Sequence, residues 1–341
     1  MCVSLTQPDG QSGMRRSKMR PRTQSAMATH TSRFLPFMQR HKTKGVRRPW
    51  GVIALFLAPA LVLYFGLVFY PVLRTIYNSF FQLDMARGLA QTYVGLRNYE
   101  EIFTNDPRVL QAALHSLLWG LVSPLVEIPL ALVLASVVHA QVPGKRFFRL
   151  AWFSPLLLSY VVVAIIWRWI FNNDWGVLNT LLRSVGLASL ATDWLGSLKL
   201  VLPSLILVTT WMFTGFNFVI LLAALHSLPA EILDAARVDG ASHIQVQWHI
   251  TVPMLRKTIV NLLVLCFIGK MKIFDLVWVM TKGGPMYASE TVSTYVIKRA
   301  FDWHTLDLGY PSAIATLWFI VIFILSVLFS GLLQSRENLE F

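Results

Sequence analysis

Ionisable side chains set inside long apolar runs are where this sequence concentrates its chemistry: Glu127, Arg168 and Lys270. Such groups are costly in an apolar setting and are retained where they line a polar cavity or meet a partner. A second set, Trp211, Met212, Thr214, Phe216 and Asn217, puts aromatic faces, a hydroxyl and an amide into one run. An aromatic face suits the C–H patch of a sugar ring, and amides and hydroxyls suit its hydroxyl groups; helix packing is the plainer use of the same residues. Cys266, Lys270 and Ile273 follow three- and four-residue spacing and share one helical stripe. Lys270 on that stripe suits a substrate hydroxyl or an anionic group, an acid on a neighbouring subunit, or snorkelling to the outer interface. Lys272 and Asp275, three apart, are expected to pair with each other. Arg168 sits between Trp167 and Trp169, as in an aromatic belt, and Glu127 has no partner legible in the sequence.

Other chemistries lack their residues. Cys2 and Cys266 show no paired spacing of the metal or disulfide kind. His115 and His139 flank one apolar run with nothing nearby to complete a metal site. The phosphate-binding pattern Gly-x-x-x-x-Gly-Lys-Ser/Thr does not occur, so ATP hydrolysis is not expected of this chain.

The elements that must position these groups are apolar helices. Of the 341 residues, 55% are hydrophobic and 14% charged, against about 45–50% and about 25% in soluble domains. Crossing about 30 Å of hydrocarbon takes roughly 20 apolar residues per helix. Six runs qualify, near Trp50–Tyr70, Leu110–His139, Phe147–Phe171, Leu200–Leu225, Thr258–Met280 and Ala313–Leu333. The expectation is an all-α membrane protein of six transmembrane helices, with one domain over residues 49–341 and a basic, disordered tail over residues 1–48.

The net charge of +13 is concentrated in that tail, where eleven basic residues from Arg15 to Arg48 face only Asp9. A basic stretch running into an apolar helix is cytoplasmic by the positive-inside rule and suits anionic lipid headgroups; no motif supports nucleic acid. Lys145, Arg146 and Arg149 then mark a second inner link, and Arg237, Arg256 and Lys257 a third. On the outer side Arg74, Arg87, Arg97 and Arg108 are balanced by Asp84, Glu100, Glu101 and Asp106. Both termini are therefore expected in the cytoplasm. Of the outer links, Leu73–Val109 and Lys282–Pro311 are the largest, and Thr291–Ala300 is expected to form a short helix lying at the surface.

The link after the fourth run, residues 228–253, is too polar to span and too patterned to be slack. Pro229 suits the first turn of a helix and Glu231 its positive end. Gly240 permits the left-handed conformation that ends a helix, and Ser242 caps a second one running toward Pro253. Ile232, Ala235, Ala236 and Asp239 share a side by helical spacing, and small residues there admit close approach of another protein.

Asp234-Ala235-Ala236-Arg237-Val238-Asp239-Gly240-Ala241, followed by Ile250-Thr251-Val252-Pro253, resembles the EAA loop of binding-protein-dependent ABC importer permeases. The stretches Gly176-Val177-Leu178-Asn179, Thr281-Lys282-Gly283-Gly284-Pro285 and Tyr93-Val94-Gly95-Leu96-Arg97-Asn98-Tyr99 resemble the carbohydrate-uptake branch, the MalF-like or UgpA-like permeases, and the likeness runs from about Pro49 to Leu333. The resemblance implies a type I, MetI-like permease of the prokaryotic inner membrane with a cytoplasmic coupling helix. It implies that Glu231, Asp234, Ala235, Ala236, Asp239, Gly240 and Ala241 meet an ATPase subunit, and that Trp211, Met212, Thr214, Phe216, Asn217, Cys266, Lys270 and Ile273 face the transport pathway. Its implied partners are a second homologous permease, two ATPase subunits holding ATP and magnesium, an extracytoplasmic solute-binding protein and a carbohydrate. Glycerol phosphate or another small polar solute is the alternative cargo; a secondary transporter and a membrane glycosyltransferase are the rivals of other classes. Asp234 stands where the family's motif opens with Glu, one methylene longer.

Overall fold

The computed structural model describes residues 50–84, 90–140, 143–302 and 307–335. The chain divides into two compact units, Met1–Pro59 and Ala60–Phe341. In the first, residues 50–59 are helical and exposed; the basic tail expected before them lies outside the described residues. Apart from the helix that begins at Trp50, everything below concerns the second.

Six spans were expected, and four helices are by themselves long and apolar enough: Trp50–Asn78, Pro107–His139, Val201–His226 and Gly309–Gly331. The first is α1 (Trp50–Tyr64), one wider turn, then α2 (Tyr70–Asn78). The other three are α4 (Pro107–His139), α8 (Val201–His226) and, within a longer helix, α15 (Gly309–Ser335).

Two bent pairs, each counted as one span, bring the total to the six expected, although neither is one straight helix. Over Lys145–Ile170, α5 (Lys145–Phe153) and a tight turn at Ser154–Leu157 meet α6 (Tyr160–Ile170) at 104°. Pro155 carries no N–H for the preceding turn, and Ser159 starts α6 afresh by accepting from the Val162 N–H at 3.3 Å. Near residue 255, the segment Ile244–Met254 meets α12 (Arg256–Met271) at 69°. The helix expected to run to Met280 stops at Met271, and a separate short helix, α13 (Asp275–Met280), follows. Lys272 thus sits beyond one helix and Asp275 opens the next; among the described residues no ion pair joins them, because the three-residue helical spacing does not span the break.

The core is built where α4, α8 and α12 meet. Trp119, Leu205, Val208 and Met212 join Leu276 and Val277 in one cluster, and Ala131, Ala135, Phe218, Leu221 and Leu262 form another. Gly215 lets α8 approach the chain at Trp152, whose carbonyl oxygen would lie 2.0 Å from an added Cβ. A short antiparallel hairpin, β1 (Phe81–Asp84) with β2 (Ala90–Tyr93), and α3 (Arg97–Thr104) occupy the link between α2 and α4. Asn98 is buried there and donates to the carbonyls of Ser79 and Phe81 at 2.9 and 3.1 Å. In the link between α13 and α15, α14 (Val292–Ile297) forms where a short helix was expected, yet it does not lie at the surface. Val292, Thr294, Tyr295 and Ala300 are buried, Val292 and Tyr295 packing with Ile314 and Trp318 of α15.

Candidate functional site

Two places gather the residues singled out by sequence. The first is a polar junction inside the helical core. Glu127 of α4 and Lys270 of α12 form an ion pair at 2.5 Å between side chains that are 0% and 4% exposed. Asn217 of α8 donates through Nδ2 to the other Glu127 oxygen at 3.5 Å, and the Cys266 thiol donates to Asn217 Oδ1 at 3.4 Å. Lys270 Nζ also stands 4.2 Å from the centre of the Phe213 ring, within cation–π range. Glu127 is twelve residues from the end of α4 at His139, about 18 Å along a helix rising 1.5 Å per residue. One buried pair with its accessory hydrogen bonds thus ties three helices in a single register.

This corrects the reading of Lys270. It neither snorkels nor awaits an acid on another subunit; the acid is Glu127 of the same chain. The proposed pathway set also divides. Asn217, Cys266 and Lys270 come together, whereas Ile273 lies beyond the end of α12, buried, its carbonyl accepting from the Thr291 hydroxyl at 3.1 Å. Met212 is buried in the core, and Thr214 is buried with its hydroxyl donating back to the Thr210 carbonyl at 2.6 Å. Trp211 packs edge-on against Trp167 with ring centres 5.5 Å apart. Phe216 alone of the α8 set is exposed, beside Val219 three residues on. Arg168 is exposed and reaches the Val279 carbonyl at 3.4 Å.

The second place is the element between α8 and α12. Here α9 (Ala230–Val238) is followed by a left-handed Gly240, φ +84°, then α10 (His243–Val246), a wider turn and α11 (Val252–Met254). Ser242 and Gln245 cap this second helix reciprocally: the Gln245 N–H donates to Ser242 Oγ at 3.4 Å and the Ser242 N–H to Gln245 Oε1 at 2.8 Å. Pro229 precedes α9 in an extended conformation instead of occupying its first turn, as expected from sequence. Glu231, Ile232, Asp234, Ala235, Asp239 and Gly240 are exposed, and Ala241 half-buried; Ala236 is buried against its own chain and leaves the shared outward side. Asp234 pairs with Arg237 at 3.0 Å. Exposed Val238, Ile244 and Trp248 add an apolar surface to the acids that the motif did not disclose. Its signal in the sequence was large apolar residues in a segment too polar to span.

At the start of α4, Asp106 accepts from the hydroxyls of Tyr295 and Tyr310. Burial, and donation to that carboxylate, push the Tyr295 hydroxyl above the ordinary phenol range. Burial likewise raises Glu290, opposed by Lys298 at 2.5 Å, and the Glu290 carbonyl contacts His115 Nδ1 at 2.9 Å. Among the described residues no group of three or more His, Cys, Asp or Glu could hold a metal ion.

Comparison with known proteins gives a consistent answer. Residues 127–338 match the family described as the binding-protein-dependent transport system inner membrane component. The chain is similar to the probable ABC transporter permease protein YurN of Bacillus subtilis (strain 168), at 35% identity over 80% of this chain and 93% of that protein. It is also similar to the multiple sugar-binding transport system permease protein MsmF of Streptococcus mutans, at 30% identity over 84% and 95%. The sulfoquinovosyl glycerol transport system permease protein SmoG of Agrobacterium fabrum matches at 29% over 83% and 90%. Among solved structures, a bacterial ABC transporter involved in import of the acidic polysaccharide alginate shares the fold, with TM-score 0.73 at 20% identity over 85% of this chain and 97% of that one.

Proposed function

The chain belongs to the family of binding-protein-dependent transport system inner membrane components, and we propose that it is a permease subunit of an ATP-driven carbohydrate importer. The observation that carries this reading is the capped helix–turn–helix over residues 230–254, which exposes acids and large apolar groups while joined to two helices that meet at the buried ion pair. A rigid lever attached to a single-register core transmits force; a slack loop does not.

In this reading Glu231, Asp234, Ala235, Asp239, Gly240 and Ala241 dock on an ATPase subunit, with Ile232 and Trp248 giving apolar area. Two such ATPases hold ATP and magnesium, a second permease completes the pathway, and an extracytoplasmic binding protein delivers the solute. Both termini lie in the cytoplasm, on the side of the coupling element. ATPase closure displaces that element, and the packed helices α4, α8 and α12 follow as a rigid body between two states. Because Glu127 balances the charge of Lys270 within the chain, a neutral hydroxylated solute suits the pathway better than one recognised by its negative charge. Phe216, exposed on α8, is the stacking surface left for it. The sugar-related names of MsmF and SmoG support the same cargo class.

Uptake by the reconstituted complex tests the proposal. Sugar accumulation that requires ATP on the side of the coupling element is expected; accumulation driven by an ion gradient without ATP would overturn it.

A further inference from the structure

Beneath the coupling element lies a partly open cavity of about 420 Å³, between the ends of α4 and α8 on one side and the segment from α9 to α11 on the other. Its polar lining is Ser136, His139, Gln247 and Thr251 with the more exposed His226 and Arg237, and among the described residues no carboxylate lines it. The nearest acid in sequence, Asp234, is paired with Arg237 Nη1 at 3.0 Å.

Two features make this lining a receptor for negative charge. His139 and His226 meet edge to face with ring centres 5.0 Å apart, and His226 Nδ1 lies 2.6 Å from the Leu222 carbonyl. A carbonyl only accepts, so Nδ1 carries the proton and Nε2 is the atom that can gain a second one. Meanwhile His139 Nδ1 and Gln247 Nε2 are buried and find no hydrogen-bond partner among the described residues. The amide nitrogen is a donor, and a buried donor is stabilised by an acceptor. The lining therefore offers a guanidinium, two imidazoles and an amide N–H, with hydroxyls beside them.

We propose that this cavity binds an oxyanion of the phosphate type, held jointly by His139, Arg237 and Gln247. Because His139 ends α4, Arg237 lies on α9 and Gln247 follows α10, the bound ion braces the element against the core and sets how readily it moves. That consequence rests on the coupling reading above; the binding itself does not.

The experiment is equilibrium dialysis of labelled inorganic phosphate against the full chain in phosphatidylcholine nanodiscs at constant ionic strength. Saturable binding near one ion per chain is expected, displaced by sulfate and not by chloride. His139→Leu and Gln247→Leu should each weaken it about ten-fold, the loss of one charge-assisted contact. Gln247→Glu, nearly equal in shape and opposite in effect, should abolish it while leaving helix content and melting unchanged. Nanodiscs containing phosphatidic acid distinguish the source. Exclusion of free phosphate there assigns the site to a lipid headgroup, unimpeded binding assigns it to the free ion, and either supports oxyanion chemistry. Non-saturable uptake by a folded chain, or equal affinity in Gln247→Glu, would overturn the inference. ATPase docking, measured in parallel, reports on the coupling reading alone.

Discussion

Two of the ion pairs among the described residues look alike on paper and differ in every physical respect. Glu127 and Lys270 touch at 2.5 Å with side chains 0% and 4% exposed; Asp234 and Arg237 touch at 3.0 Å with 67% and 56% exposed. Water screens the second, which is worth about 0–1 kcal/mol. The first is cut off from water, so removal of one partner strands a buried charge at a cost of about 3–5 kcal/mol. The buried pair fixes how helices stand; the exposed one leaves its surface available to another protein.

The sharpest way to break that contrast is Lys270→Met. We expect it to destabilise the chain by about 3–5 kcal/mol, read as a large drop in melting temperature in detergent. The double variant Glu127→Leu with Lys270→Met should recover most of the loss, since apolar side chains replace a buried pair well. Asp234→Asn should change stability by less than about 1 kcal/mol.

The two glycines sharpen the comparison at the level of the backbone. Gly215→Ala puts a Cβ 2.0 Å from a carbonyl oxygen in the packed core, and overpacking there should cost about 1–3 kcal/mol. Gly240 has open space around it but a φ of +84°, so Gly240→Ala should cost about 1 kcal/mol through backbone strain alone. Ala235→Trp, on the exposed face, should leave melting unchanged and abolish sugar-stimulated ATP hydrolysis by the assembled complex.

A smaller effect separates a buried carboxyl from a solvated one. Glu290 holds its proton more tightly in the folded chain than in the unfolded one, because burial outweighs Lys298. The folded state thus binds more protons above the ordinary carboxylate range, and stability should fall as pH rises through that window. Glu290→Gln should flatten this slope in melting curves taken across pH.

What the sequence disclosed follows the same division. The element at 230–254 is local: a left-handed glycine, a Ser242 cap answered by Gln245 three residues later, and acids at a helix start are all within one short stretch. Its form was legible because neighbours in sequence are its partners. The ion pair joins residues 127 and 270, so Glu127 stood without a partner and Lys270 was left between the solute, a neighbouring subunit and the outer interface. Likewise Ile273 left its stripe because α12 ends at Met271, and the helix near Val292 proved buried because α15 covers it. Proline gave the most ambiguous signal. Pro124 and Pro129 lie within the continuous α4, whereas the run containing Pro155 bends by 104°. Both are apolar runs interrupted by proline; the Ser159 cap starts a fresh helix in the second.

Coupled transport requires the exposed element to be gripped by an ATPase, and site-directed cross-linking tests this most directly. With Ala235→Cys in the assembled complex, we expect a disulfide or short bifunctional link to an engineered cysteine on the nucleotide-binding subunit, its yield changing on addition of ATP. A residue 235 that links only to reagents on the extracytoplasmic side, or never to that subunit, would contradict the account.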